Sequence, residues 1–468
     1  MNAAVEYNRA LDYLYSFVDY SLKHLSEMAK ADFNLERMFE LMRLLGNPQQ
    51  RYRIVHVAGT KGKGSVCAML ASALRSAGYV TGLYTSPHLA DYCERIRVNG
   101  RPITHAELVG LVEAVKPAVE QVPKLTTFEI TTAIGLLAFA RRRVDFAVVE
   151  VGLGGRLDAT NVVLPQAAVI TSLSYDHMLV LGDTLAEIAG EKAGIIKEGV
   201  PLVSAPQKEE ALKVLERIAA ERHAPLTLVG RNIGFEMVKD SVQGQSFRVT
   251  ALPRTGPGRA VAAISLRVPL LGRHQVENAA IAVGVLWELR AQGVSVPDAA
   301  IRAGLARVRW PGRFEVMQLH PPVVIDSAHN RDAALRLREA LDTYFPGRHA
   351  ILVFCALEDK DIAGMLAELR PRVQRVVATR ADHPRAPSAE WIAEQVRLAG
   401  LGVEIRTPAA AALDRALELA GKQAVVLVAG SVAFAGEMRT AWRRRKTRIR
   451  RAGTSSKTRR PRKRGANG

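Results

Sequence analysis

Apolar positions along this chain follow two rhythms in turn, and their alternation predicts a layered α/β protein. Val and Ile crowd the run from Tyr52 to Ala58, and small and apolar residues recur at helical spacing from Ser65 to Ala77. A strand therefore enters a Gly-rich turn and leaves it as a helix. Tyr79 to Thr85 predicts a short strand, Thr104 to Val119 and Phe128 to Arg143 predict helices, and Val144 to Val151 an apolar strand. Ala167 to Thr171 and Val200 to Ser204 read as strands on either side of a helix at Thr184 to Ala193. Strands this rich in Val and Ile have no polar face to give to water, so they imply a mostly parallel sheet covered on both sides. From Phe235 to Val268 the pattern alternates and carries glycines, which predicts antiparallel strands ahead of a helix at His274 to Gln292.

The rhythm breaks at Trp310-Pro311-Gly312-Arg313, where a Pro-Gly pair ends the helical pattern. A second alternating series follows, with strands at Val323 to Asp326, Ala350 to Cys355, Arg375 to Ala378 and Ala424 to Ala429. The organisation expected is a large domain over 1–308, a hinge at 309–313, a smaller α/β domain over 314–442 and a basic tail over 443–468.

Hydrophobic residues at 48% and charged residues at 24% give an ordinary globular balance, which excludes general disorder. No run of about 18 uncharged apolar residues occurs. Glu6, Asp12 and Asp19 interrupt the N-terminal apolar pattern where a secretory signal would be basic and then apolar. Cys67, Cys93 and Cys355 stand alone, with no CxxC pair for a disulfide framework or structural zinc. A soluble, cytoplasmic protein with no membrane partner is expected. The net charge of +19 raises nucleic acid as a partner, yet thirteen Lys or Arg and no acid lie between Arg443 and Gly468. The remainder of the chain is only mildly basic. The tail is expected to be disordered beyond a helix ending near Trp442, and to attract RNA, DNA or anionic lipid non-specifically. It interleaves no aromatic residue on which a base could stack.

Gly59-Thr60-Lys61-Gly62-Lys63-Gly64-Ser65 occupies the strand-to-helix junction, where backbone N–H groups and a helix N-terminus can cradle phosphate. Lys63 is placed to reach the β/γ-phosphates and Ser65 to touch Mg²⁺. The spacing departs from GxxxxGK[ST], because Val57 stands at the first Gly position and Gly64 separates Lys63 from Ser65. A simple GTPase or kinase fits less well. The fold class predicted is a large P-loop parallel-sheet ATPase domain plus a smaller Rossmann-like α/β C-terminal domain. Glu150 stands at the end of one predicted strand, Ser86 closes another and His177 follows a third, so parallel strands would deliver all three to one carboxyl edge.

The loop resembles that of the Mur ligase superfamily, and within it the folylpolyglutamate synthase/dihydrofolate synthase family, extra glycine included. Further similar segments follow in order: Ser86-Pro87-His88 with Glu94-Arg95-Ile96, Thr126 to Glu129, Glu150 through Asn161, Asp176-His177, Glu191 to Gly194, Asn278-Ala279-Ala280, Trp310 to Arg313, and Asp326 to Asn330. The resemblance spans roughly residues 30 to 440.

That resemblance implies an ATP- and Mg²⁺-dependent ligase in which an acyl phosphate is captured by an amine, with L-glutamate and dihydropteroate or a reduced folate as substrates. It implies that Ser86 and Glu150 hold one Mg²⁺ and that His177 helps hold a second. It implies that Lys192 carries a CO₂-derived carbamate and so becomes an anionic ligand. Phe128 and Asp158 are implied as pterin contacts, Asn278 as the adenine contact, Arg313 as an ATP-phosphate contact and Asp326 as the carboxylate near ribose. His329 is implied at the transferring phosphate or the incoming glutamate, and Ser431 at glutamate. Plainer readings stay open beside these. Ser86 also suits a turn, Glu150 a strand-end ion pair, His177 a structural role, Lys192 a pairing with Glu187 or Glu191, Phe128 the core, and Ser431 a helix N-cap. Ser327 stands where the family's motif has Gly, which predicts strain if that position needs a positive φ.

The resulting expectation is a monomeric ligase, with Lys63, Lys192 and His329 in catalytic roles and closure about the 309–313 hinge. A muropeptide ligase acting on a UDP-linked substrate is the alternative of the same chemistry. A nucleic-acid-binding P-loop NTPase using the basic tail is the alternative of another class.

Overall fold

Strand β1 (Arg53–Ala58) lies inside a sheet completed by β2 (Thr81–Tyr84), β3 (Ile96–Val98), β4 (Arg101–Pro102), β5 (Phe146–Glu150), β6 (Ala167–Ile170), β7 (Leu202–Ser204) and β8 (Leu226–Leu228). The computed structural model describes residues 3–19, 33–252 and 262–457, with side chains to residue 448. It divides the chain into two units, Met1–Arg313 and Phe314–Gly468. In the first, the strand order is β4-β3-β2-β5-β1-β6-β7-β8. Strands β2, β5, β1, β6, β7 and β8 run parallel, and β3 and β4 add an antiparallel edge beside β2. All five residues of β5 are buried, as an apolar run covered on both faces requires.

Helix starts are set by short polar residues. Thr104, Thr126 and Thr184 each accept from a backbone N–H three residues on, and Glu107, Glu129 and Glu187 each reach back to close a capping box. The helix Arg273–Ala291 runs through the core with Val276, Ile281, Val283 and Leu286 buried. Over it lies a three-stranded antiparallel sheet of β9 (Ile233–Ser241), β10 (Gly244–Ala251) and β11 (Ala262–Val268). In β11, Ile264, Leu266 and Val268 are buried and their neighbours exposed, the period-two pattern that the sequence carries there.

The second unit holds β12 (Glu315–Leu319), β13 (Pro322–Ile325), β14 (Ala350–Phe354), β15 (Val373–Ala378), β16 (Val403–Ile405) and β17 (Val425–Ala429), in the order β12-β13-β17-β14-β15-β16. Only β12 is antiparallel to its neighbour. Two of these strands were not foreseen. β12 is partly exposed at the sheet edge and β16 has only three half-buried residues, so neither shows a clear apolar run.

One expected boundary moves. The last helix spans Val432–Lys457 and does not stop near Trp442. Arg and Lys are good helix formers, and Arg445 Nε bonds Asp414 Oδ1 at 2.6 Å, which ties the basic turn to the helix before it. Residues 458–468 of the tail lie outside the described residues. Among the described residues no helix is long and apolar enough to cross a membrane.

The helix Lys63–Ser76, which begins at the Gly-rich loop, is held by a close helix contact. Ser72 Oγ donates to Gly304 O at 2.7 Å, and a Cβ on Gly304 would stand 2.4 Å from Ala73 Cα. Gly304→Ala is expected to destabilise the protein by about 2 kcal/mol through overpacking, read as a lower urea midpoint. An unchanged midpoint would show that these helices separate without cost.

Candidate active site

In the order β2-β5-β1-β6, four neighbouring parallel strands end at one edge, where Ser86, Glu150, the Gly59–Ser65 loop and the segment leading to His177 lie. Val57 pairs with Glu150 across β1 and β5, and Ala58 with Ile170 across β1 and β6, so the Gly-rich loop lies between Glu150 and the loop leading to His177. Gly59 has φ +143°, and a Cβ there would collide with Thr171 Oγ1. Thr60 and Lys61 give their backbone N–H groups to Ser172 O at 3.0 and 3.1 Å. Gly62, at φ +92°, opens the helix Lys63–Ser76 with no side-chain cap, so the N–H groups of its first turn lie at an end that favours an anion. Ser65 is buried in that turn. Lys63 Nζ donates to Gly59 O at 3.1 Å, folding back over the loop.

Two residues distant in sequence press on this loop. A Cβ on Gly62 would stand 2.4 Å from Asn278 Oδ1, and Asn278 Nδ2 bonds Gln275 Oε1 at 3.1 Å. A Cβ on Gly64 would stand 2.8 Å from the Trp310 ring. A Cβ at either place would force the neighbouring side chain to move, and at Gly62 the left-handed backbone adds strain of its own.

Ser86 and Glu150 meet directly, the Ser86 N–H donating to Glu150 Oε2 at 3.1 Å. Burial pushes the Glu150 carboxyl above its ordinary range, while Lys63, the Ser86 N–H and Arg313 pull it back. Lys61 Nζ pairs with Asp176 Oδ2 at 2.9 Å, which brings the loop after β6 against the Gly-rich loop. The next residue, His177, has φ +52° and its Nε2 stands 3.8 Å from Asp176 Oδ1.

Lys192 is buried near the end of the helix Leu185–Ala193. Burial above all, with the nearby charges of Lys63 and Lys61 acting in the same direction and Asp176 and Asp158 opposing them, brings its ammonium down to about 7. The plainer reading of Lys192, a pairing with Glu187 or Glu191, does not form. Glu187 closes the capping box with Thr184, and Glu191 pairs with Arg156 at 2.8 Å. A Cβ on Gly155 would stand 2.7 Å from Lys192 O, so the glycine loop after β5 lies flat on this helix.

Asp158 accepts from Leu153 N at 2.8 Å, Thr160 N at 3.0 Å and Thr160 Oγ1 at 2.5 Å. Its carboxylate braces the loop that starts at Gly152. The Phe128 ring covers that loop, its tip 2.4 Å from where a Cβ on Gly152 would stand.

In the second unit, Asp326 and Ser431 follow neighbouring parallel strands β13 and β17. Asp326 accepts from Phe314 N at 2.6 Å and from Ala328 N at 2.7 Å. Gly430 N donates to Ala328 O at 2.9 Å, which joins the two loops. His329 donates from Nδ1 to Ser327 O at 2.9 Å. The strain foreseen at Ser327 is absent, because it is not among the described non-glycine residues with positive φ. Ser431 Oγ accepts from Phe434 N at 3.1 Å, the N-cap geometry left open by the sequence.

Two family descriptions match this chain: the Mur ligase middle domain over residues 57–286 and the Mur ligase glutamate ligase domain over 312–432. A dihydrofolate synthase/folylpolyglutamate synthase of Bacillus subtilis (strain 168) is 42% identical over 76% of this chain and 83% of its own length. The chain belongs to the Mur ligase family, in its dihydrofolate synthase/folylpolyglutamate synthase branch. Its Mycobacterium tuberculosis relative of that description is 36% identical over 88% of this chain and 90% of the relative. A solved Mycobacterium tuberculosis folylpolyglutamate synthase complexed with ADP superposes with a TM-score of 0.83 at 34% identity, covering 94% of this chain and 98% of that one. As a Mur ligase family member, the chain is an ATP-dependent ligase with the α/β fold expected.

Sequence reasoning missed the packing of Trp310 on Gly64 and the pairing of Lys61 with Asp176, since neither leaves a mark in local spacing. It also passed over His56, a buried histidine in an apolar strand, whose polarity there was the available signal. For the Gly-rich loop, Gly62→Ala is expected to weaken ADP binding by about tenfold or more by calorimetry, because the new methyl displaces Asn278 at a left-handed position. Gly78→Ala, also left-handed at φ +97° but with open space around it, should bind ADP normally. An equal loss in both would show backbone strain alone.

Proposed function

We propose that this ligase joins L-glutamate to dihydropteroate, to a reduced folate, or to both, using ATP as co-substrate. The observation that carries the reading is the gathering of Lys63, Glu150, Lys192 and Asp158 at one sheet edge, within each other's electrostatic reach and beside a Gly-rich loop. A phosphate site and an aromatic-covered acceptor loop then share that edge.

The donor set fits magnesium. Glu150 and the hydroxyls of Ser86 and Ser65 are hard oxygen ligands, and Mg²⁺ takes oxygen together with phosphate and water. His177 is assigned to a second ion. When bound, Mg²⁺ neutralises charge that builds on the phosphates during transfer. Lys192 fits carbamylation for a reason of sign. Near neutral pH much of its amine is uncharged and able to attack CO₂, and the anion formed would be attracted by the Lys63 and Lys61 charges that repel the ammonium.

The residues themselves bind and orient. Lys63 and the first helical turn hold the ATP phosphates, Asn278 holds adenine, Arg313 a phosphate and Asp326 the ribose. Phe128 offers an aromatic face to the pterin, and Asp158 keeps the loop beneath it in place. The acceptor carboxylate attacks the γ-phosphorus, the bond to ADP breaks, and an acyl phosphate forms. The glutamate amine then attacks the acyl carbon, phosphate leaves, and the amine gives up a proton. His329 is assigned to that proton, because its Nδ1–H is committed to Ser327 O and Nε2 is the basic nitrogen of that tautomer. Ser431 is assigned to glutamate through its place beside this loop. The same reading makes the enzyme cytoplasmic and monomeric, with Mg²⁺ and a carbamate on Lys192 as its cofactors and the basic C-terminal segment touching nucleic acid non-specifically.

Incubating the protein with ATP, glutamate and each acceptor, then weighing the products, tests the assignment directly. Dihydropteroate or reduced folate should gain one glutamate mass per ADP released, and a UDP-muropeptide should gain nothing. The opposite preference would overturn the folate reading. Lys192→Ala is expected to lose more than about 99% of turnover, in the range set by losing an oriented catalytic group, while its unfolding midpoint stays near wild type. Added bicarbonate should not restore it, and full activity would reject the carbamate.

A further inference from the structure

A histidine sits in the middle of the apolar strand β1. His56 is fully buried between Val55 and Val57 and pairs with Val149 of β5 on one side and Ala168 of β6 on the other. Its Nε2 lies 2.8 Å from Thr160 Oγ1, and that hydroxyl lies 2.5 Å from Asp158 Oδ1. A carboxylate only accepts, so the Thr160 hydroxyl donates to Asp158 and must itself accept from His56. The proton of His56 is therefore on Nε2. Nδ1 is buried with no hydrogen-bond partner among the described residues. Leaving a buried nitrogen unsatisfied is costly, and an apolar side chain of the same shape would avoid the cost. Stability alone thus gives no reason for a histidine here; its bond to Thr160 does.

We infer that His56 is a positioning residue for the acceptor-substrate loop, acting through Thr160 and Asp158. The chain of contacts is continuous. Asp158 receives the Leu153 N–H at 2.8 Å, and Leu153 follows Gly152, against which the Phe128 ring is packed. His56 stands three residues before Gly59, so one strand anchors the nucleotide loop at its end and the acceptor loop from its side chain. Desolvation keeps the imidazole neutral far below physiological pH, so the relay holds its direction throughout the working range.

The inference depends on the proposed reaction only for the identity of the acceptor, and two readouts keep them apart. The amide nitrogen of His56→Gln can occupy the place of Nε2, whereas that of His56→Asn reaches only the place of Nδ1. His56→Asn is expected to raise KM for the folate-type acceptor about tenfold, the effect of one lost buried hydrogen bond, with KM for ATP changed less than about twofold. His56→Gln should stay within about threefold of wild type for both. Thr160→Val should match His56→Asn, and combining them should add little, since both cut the same relay. Thr160→Val also provides the test should His56→Asn fail to fold. Hydrogen exchange at the Leu153 amide, measured on the same proteins, should quicken in His56→Asn and Thr160→Val and stay slow in His56→Gln. Unchanged exchange in every variant, or ATP and acceptor KM rising together, would overturn the relay. Faster exchange in a protein whose wild type consumes no folate acceptor would overturn the substrate assignment and leave the relay standing.

Discussion

Charged groups resist leaving water, and the first unit buries Glu150, Asp158 and Lys192 together at one edge of its sheet. Each is tolerated because something fixed answers it. The Ser86 N–H faces Glu150, and the N–H groups of Leu153 and Thr160 face Asp158. Burial weakens the charge on Lys192, the repulsion of Lys63 and Lys61 adds to this, and the attraction of Asp176 and Asp158 opposes it. That balance exists because β2, β5, β1 and β6 are parallel neighbours whose ends coincide. Without β2, β5 and β1 as neighbours, Ser86, Glu150 and the Gly-rich loop would not meet at one edge.

Close backbone approach is the second requirement of this edge. Gly62 admits Asn278, Gly64 admits Trp310, Gly152 admits Phe128 and Gly155 admits the backbone at Lys192. At each position a methyl group would hold the partners apart, so the glycines set spacing as well as flexibility. Contacts of this kind join loops that lie up to 246 residues apart in sequence, as at Gly64 and Trp310. They pack the Gly59–Ser65 loop and the loop after β5 each against a neighbour distant in the sequence.

The second unit applies the same device on a smaller scale. β13 and β17 lie side by side and in parallel, and the loops that follow them are joined by the Gly430 N–H to Ala328 O bond. Asp326 is held by two backbone N–H groups, one of them from Phe314 at the start of the unit. A serine is tolerated at 327 because the backbone there does not enter the left-handed region, so the departure from the family motif costs the loop nothing in conformation.

The sequence by itself determined the elements of the sheet core and most of the residues at its edge. Val- and Ile-rich runs such as 146–150 announce buried strands, alternating positions such as 262–268 announce a one-sided sheet, and the Gly59–Ser65 segment announces a Gly-rich turn from strand to helix, because each is a local pattern with a local physical cause. β12 and β16 escaped notice because half-exposed edge strands lack such a pattern, and the final helix ran past Trp442 because a basic turn found an acid to pair with. Only the tertiary structure decided which strands are neighbours, that Glu187 and Glu191 are engaged by Thr184 and Arg156 instead of Lys192, and that His56 bonds Thr160 from within an apolar strand. Those outcomes depend on distances between segments far apart along the chain, and distance across a fold is the one quantity that local spacing does not contain.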